Sequence, residues 1–246
     1  MSARSPALLP DDPQIGDLDA GVRRVVAAVW RARATHELST STVFASLVRS
    51  LVGLRAPLGI VLDAAQAVGD EVRHAQICTE VARAYWPEST PPEPSPVVDE
   101  PARGGDAELG AVLFAVMQSC INEGVASVYL QRCLLESRFV LVRAALRRIL
   151  EDEIRHARFG WTLLASEVMS DALRRDVAEA LPVLLARVRD TWTAEDGVTP
   201  ADGPAGHGFL STAAIADVVR EAYEDLVLPG FERTAIDTGP ARALGV

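Results

Sequence analysis

The sequence predicts an all-α protein, and three observations carry that prediction. Ala, Leu, Val and Arg dominate the 246 residues while aromatic residues make up 5%, a bias toward helix formers and away from the side chains that fill sheets. Apolar positions recur at helical spacing, as in Val26, Trp30, Ala34 and Leu38. A six-residue stretch, Asp152-Glu153-Ile154-Arg155-His156-Ala157, also has a near-copy 82 residues earlier in Asp70-Glu71-Val72-Arg73-His74-Ala75. Each copy sets a Glu and a His three apart, a spacing that places both side chains on one face of a helix, one turn apart.

The elements follow in order. Residues 1–16 hold three prolines and read as an irregular arm. A first helix is expected from Asp19 to Arg55, with Glu37 at its middle and Arg33, Ala34, Thr40 and Ser41 one turn either side. Pro57 suits a fresh helix start, and the second helix runs to Trp86 with the first Glu-x-x-His in its middle. Residues 87–106 are too rich in Pro and Gly for a helix and read as a long connection. A third helix begins near Asp106, a candidate N-cap, and continues to Glu136 around Glu123; a fourth spans Phe139 to Ser170 and carries the second motif.

Beyond Ser170 a fifth helix is expected to Glu195 with a kink or break at Pro182, then a Gly/Pro loop, then a sixth from Ser211 to Leu228 ended by Pro229-Gly230, with a loose tail. The whole reads as one domain. Residues 17–170 form a helical bundle of two quasi-repeated hairpins joined by the only long connection, and residues 171–246 pack on it.

Chance accounts poorly for the repeated motif: 17 Glu and four His scattered over 246 residues give about 0.3 Glu-x-x-His pairs, and the chain has two. A carboxylate and an imidazole presented together suit a divalent first-row transition metal. Four buried carboxylates need compensating charge, which two divalent ions would supply.

Composition excludes other classes. A net charge of −10 argues against nucleic acid or an anionic membrane as partner. All 24 basic residues are Arg, so Schiff-base chemistry and a P-loop lysine are excluded. Cys78, Cys120 and Cys133 show no C-x-x-C spacing and give neither a disulfide framework nor a structural zinc site. No signal-peptide core opens the chain and no uncharged apolar run approaches about 18 residues, so no membrane partner and a reducing cytoplasm are expected.

On these motifs the chain resembles the ferritin-like di-iron carboxylate superfamily: a Glu from each of two helices and a Glu-x-x-His from each of two others, all pointing into a four-helix bundle. The resemblance covers residues 20–170. It implies two metal ions, one served by Glu37 and His74, the other by Glu123 and His156, with Glu71 and Glu153 bridging. It further implies that Asp70 and Asp152 each take the second ring proton of a metal-bound His on the facing helix, and that Arg73 and Arg155 pair with those aspartates.

The function it implies is an O2-activating di-iron oxygenase or oxidase. Such an enzyme hydroxylates, N-oxygenates or desaturates a small-molecule or carrier-bound substrate, with electrons from a reductase or ferredoxin. Iron is the expected metal; Mn/Fe and Mn/Mn pairs accept the same ligands. A ferritin- or bacterioferritin-like ferroxidase, or a peroxide-detoxifying di-metal protein, is the alternative. A homodimer is expected by analogy alone.

Two positions depart from subgroups of the superfamily. Cys78 stands where ribonucleotide reductase small subunits carry a radical Tyr; methane monooxygenase-like enzymes have Cys there. Ile149 stands where nitro-forming arylamine oxygenases carry an extra His.

Small residues beside the ligands, namely Ala34, Ser41, Ala64, Ala67, Cys120, Gly124, Ala126, Ser127 and Gly160, suit either a substrate space or close helix packing. Ser127, one turn past Glu123, is a candidate for proton or oxygen delivery, although a bond to its own helix backbone is the commoner fate of such a serine. His36 points about 100° from Glu37 and is not counted as a ligand. It and His207 are expected at the surface, Tyr129 off the ligand face, and Trp161 in the packing.

Overall fold

The computed structural model describes residues 9–93, 107–194, 198–199 and 203–243, and every regular element among them is helical. Helix α1 (Ala20–Gly53) starts where the Asp19 carboxylate accepts the backbone N–H of Gly21 at 2.7 Å, as an N-cap does. A tight turn with Arg55 at φ 55° leads through Pro57 into α2 (Leu58–Tyr85), which lies against α1 along much of its length.

Residues 107–136 form one continuous helical run in three parts: α3 (Ala107–Ala115), a π-helical turn (Val116–Asn122) and α4 (Glu123–Glu136). In the π turn the Glu123 N–H donates to the Gln118 carbonyl, five residues back, so one extra residue is accommodated per turn. Helix α5 (Val140–Leu164) packs on α4, on the π turn and on α2. These contacts set the two Glu-x-x-His helices side by side.

Helix α6 (Asp171–Thr193) is capped by the Ser170 hydroxyl and lies against α3 and the π turn. Helix α7 (Thr212–Ala222), a second π turn (Tyr223–Val227) and α8 (Leu228–Arg233) run on without a break, and α7 covers α4. A short α9 (Gly239–Ala243) closes the described chain against α6.

The apolar core falls into three groups of side chains. One centres on Trp30, Cys78, Tyr85 and Ile149, another on Phe44, Leu47, Ala67 and Phe159. Along α1, α2 and α5 these two flank the polar positions Glu37, Glu71, His74, Glu153 and His156 on either side. The third, with Val177, Leu181, Val227 and Phe231, joins the 107–136 run to the C-terminal helices. By length and composition the 107–136 run would suffice to cross a membrane; 61% of its most apolar window is buried inside the protein, as befits the central helix of a packed core.

Several sequence expectations need correction. The N-terminal arm is not irregular throughout: Pro13–Asp17 is a 3-10 turn, and Leu9 and Ile15 are buried. The fourth helix stops at Leu164, six residues short of Ser170. Pro182 does not break α6, which runs through it. Pro229-Gly230 does not end the sixth helix, because α8 continues to Arg233 with Pro229 in its first turn, a place where a proline loses no helix hydrogen bond. Up to Ala243 the tail is not loose, since Ile236, Thr238 and Ala241 are buried. The expected cap Asp106 and residues 94–106 of the long connection lie outside the described residues.

Candidate metal centre

Four helices deliver six side chains to one buried place. Helix α1 brings Glu37, α2 brings Glu71 and His74, α4 opens with Glu123, and α5 brings Glu153 and His156; each is at most 8% exposed. Donor atoms of Glu37, Glu71, His74 and Glu153 lie within 4.8 Å of one another, as do those of Glu123, Glu153 and His156. The buried cluster could hold a metal ion.

The shared carboxylates are arranged with near-mirror regularity. Glu71 offers Oε2 to His74 Nδ1 at 3.5 Å and Oε1 to His156 Nδ1 at 3.1 Å. Glu153 offers Oε1 to His74 Nδ1 at 3.3 Å and Oε2 to His156 Nδ1 at 3.0 Å. Glu37 belongs to the His74 side, 3.9 Å from its Nδ1. Glu123 belongs to the His156 side and accepts a hydrogen bond from Gln118 Nε2 at 2.5 Å.

The outward ring nitrogens are held across the helix pair. His74 Nε2 lies 3.1 Å from Asp152 Oδ2, and His156 Nε2 lies 3.2 Å from Asp70 Oδ2. Arg73 pairs with Asp70 and Arg155 with Asp152, while Arg155 also reaches Asp70 at 3.2 Å. A carboxylate on Nε2 holds a ring proton there and turns Nδ1 toward the glutamates. All ten residues expected in or around the ligand set are brought together in this way.

Electrostatics mark the strain of gathering these groups. Burial, with Glu71 and Glu153 alongside, pushes the Glu37 carboxyl well above its usual range. Burial and the same neighbours do likewise to Glu123. Burial would raise Glu153 too, but hydrogen bonds from His156 and His74 hold it below the usual carboxylate range. Burial acts to lower both imidazoles and is outweighed by their carboxylate contacts: His74 is raised, and His156 is pushed up to about 12.

Both oxygens of Glu71 and Nδ1 of His74 are nonetheless buried with no partner in hydrogen-bonding geometry. These atoms lie within the same 4.8 Å cluster as Glu37 and Glu153. Oxygen and imidazole donors, orphaned, buried and convergent, are the chemistry a divalent transition metal satisfies.

A cavity of about 650 Å³ opens on the cluster, walled by Glu37, Glu71, Glu123 and Glu153 at one side. Helix α1 contributes Arg33, His36 and Thr40, α4 contributes Ala126 and Tyr129, and the C-terminal region adds Trp192, Thr212 and Ile215.

Other candidates land elsewhere. Ser127 donates its hydroxyl to the Glu123 carbonyl at 2.8 Å and is not part of the cavity wall. Of the small residues beside the ligands only Ala126 faces the cavity; Gly160 instead lets α5 close on the π turn, where a Cβ would meet Ser119 Cβ at 2.7 Å. Trp161 packs on Phe231 and Gly230. His36 is exposed, as expected, although it also lines the cavity.

His207 is not a surface residue: it is 5% exposed, 2.8 Å from the Tyr85 hydroxyl and stacked on Phe139. Its loop dives inward because Gly206 and Gly208 adopt φ of 88° and 86°, and at Gly208 a Cβ would strike Trp30 at 2.6 Å.

Sequence reasoning missed Gln118 and the roles of Tyr129 and Trp192. Gln118 is five residues before Glu123, about 140° round a regular helix; only the π turn swings it back. Tyr129 and Trp192 carried no motif, and their meeting at 5.4 Å depends on how the C-terminal helices fold over.

Comparison with protein-family models, with characterised proteins and with solved structures gives no match for this chain.

Proposed function

We propose that this protein is a ferritin-like oxidoreductase: a four-helix bundle of α1, α2, the 107–136 run and α5 that holds two iron ions and uses O2 to oxidise an organic substrate. The observation that carries this reading is the pair of shared glutamates, Glu71 and Glu153, each presenting one oxygen to each of two histidines. A single mononuclear site has no use for that doubling. Glu37 and His74 complete one half, Glu123 and His156 the other.

When bound, the iron pair would supply the electrons that reduce O2 and so generate the oxidant. The protein does the rest. Asp152 and Asp70 hold the histidine protons on Nε2, so that Nδ1 is the nitrogen turned toward the glutamates, whose proton a bound metal would displace. Arg73 and Arg155 hold those aspartates. The flanking apolar groups keep bulk water from the donors, and the adjoining cavity holds the substrate within reach. An external reductase or ferredoxin would supply electrons, since the chain has no C-x-x-C pair for a redox module of its own. The cavity, walled partly by helices outside the bundle, favours an organic substrate over iron storage.

Anaerobic loading of metal-free protein with Fe(II), followed by O2, tests the reading. Two irons per chain, oxidised in one rapid step with a transient visible absorption that Glu123→Ala abolishes, are expected. Oxidation and retention of many more irons per chain would show storage instead, and no metal uptake at all would sink both.

A further inference from the structure

The cavity wall carries one permanent positive charge that the metal centre does not account for. Arg33 lies on α1 four residues before Glu37, on the same face, and lines the same cavity as the four glutamates. Its Nη2 donates to the Tyr129 hydroxyl and to the Gly208 carbonyl, both at 3.0 Å. The guanidinium also stacks over Trp30 at 4.5 Å and Tyr129 at 5.4 Å. Contacts from three residues therefore fix the plane of the group. Its Nη1 is buried with no hydrogen-bond partner, and no carboxylate among the described residues lies within ion-pair distance of it.

A buried guanidinium normally finds a carboxylate, because desolvating the charge without one is costly. Fastening the 206–210 loop accounts for Nη2 alone. Every neighbour that pins Arg33 is neutral and the charge of Glu37 reaches it only from one turn along α1, which leaves the guanidinium without a direct ion pair beside a space large enough for a small molecule.

We infer that the cavity takes an organic acid whose carboxylate seats on Arg33 while its carbon skeleton extends to the Glu/His cluster. That this acid is the substrate, rather than only a ligand, rests on the oxidoreductase reading above. The rise of a helix puts Arg33 about 6 Å along the axis from Glu37, so the oxidised position lies several bonds from the carboxylate. Leu130, Ile215 and Trp192 give the skeleton an apolar wall. With both Nη2 hydrogens given to Tyr129 and Gly208, Nη1 is the donor left for the acid's carboxylate, a charge-assisted contact.

Calorimetric titration of the purified full chain tests this, with metal content measured on the same sample. The probes are benzoate, 3-phenylpropanoate and octanoate, each set against its neutral primary amide. At least one acid is expected to bind roughly tenfold to a hundredfold more tightly than its amide, the range of a charge-assisted contact. Arg33→Gln is expected to erase that preference and Arg33→Lys to retain part of it, with helical content checked by circular dichroism. The acid–amide contrast in the unmodified protein needs no variant to fold.

Equal binding of every acid and its amide, or an acid preference that survives Arg33→Gln, overturns the inference. An Arg33-dependent preference in a protein that takes up no metal would uphold the acid site and remove the oxidoreductase reading. Two metals per chain without any acid preference would do the reverse.

Discussion

His74 and His156 occupy equivalent places on α2 and α5, yet the two halves of the centre are built differently around them. On the His74 side α1 runs straight past, Glu37 stands open to the cavity, and Cys78 follows one turn after the histidine, fully buried. On the His156 side the facing helix bulges into a π turn, Glu123 is gripped by Gln118, and the position one turn after the histidine is Gly160. The same four-residue offset thus holds a thiol in one half and no side chain in the other, because the bulge has moved Ser119 and Cys120 into that space. Donors repeat; surroundings do not. The quasi-repeat keeps the Glu and His donors and diverges where helix packing makes separate demands.

The sharpest way to break this comparison is to remove a shared donor. Glu71→Ala or Glu153→Ala takes an oxygen from both halves and is expected to abolish binding of both metals, whereas Glu37→Ala or Glu123→Ala leaves about one metal per chain. Elemental analysis after dialysis checks the difference. If all four variants lose the same amount, the division into shared and unshared glutamates is wrong.

A smaller effect is expected behind the histidines. Asp152→Asn loosens the His74 half and Asp70→Asn the His156 half, each weakening metal binding by about 10–100-fold. Asp70→Asn should be the worse, because Asp70 also takes both Arg73 and Arg155. Competition titration with a chromophoric chelator measures both.

Packing separates the halves next. Gly160→Ala places a methyl 2.7 Å from Ser119 Cβ and 2.9 Å from Cys120 Sγ, and is expected to cost about 1–3 kcal/mol in urea unfolding. Cys78→Ala, at the equivalent offset, removes volume instead and is expected to cost less, about 1 kcal/mol. Equal costs would mean that the bulge does not crowd α5.

The mildest effect is a pH dependence on the His74 side, where the 206–210 loop ties to Trp30, Arg33 and Tyr85. Burial, with Arg138 nearby, lowers the pKa of His207 from its ordinary value near 6.5. A histidine whose folded pKa lies below its unfolded one binds fewer protons in the fold, so stability falls as pH drops below about 6.5 and levels off beneath the folded pKa. His207→Phe should flatten that part of a stability–pH curve; an unchanged slope would assign the acid sensitivity to other groups.

Much of this was legible in the sequence. The Glu-x-x-His pairs pointed to the buried cluster because helix periodicity is local: three residues fix one face regardless of what lies beyond. The aspartates and arginines flanking them were legible for the same reason. Gln118 was not, because a π turn changes the register that such counting assumes. His207 was misplaced because a Gly/Pro loop reads as surface, while the two positive-φ glycines that turn it inward leave no other mark. Pro229 was read as a stop, although a proline in the first turn of α8 interrupts nothing. The cavity wall depends on how α6 and α7 fold across α1 and α4, which no local pattern specifies.

Metal stoichiometry tests the central claim most directly. Purified metal-free protein would be titrated anaerobically with Fe(II) and, separately, with Zn(II), and bound metal counted by elemental analysis. Saturation at two ions per chain, falling below about one in Glu71→Ala, is the predicted result. Saturation at one ion that Glu123→Ala leaves untouched, or no saturable binding, would contradict the paired centre.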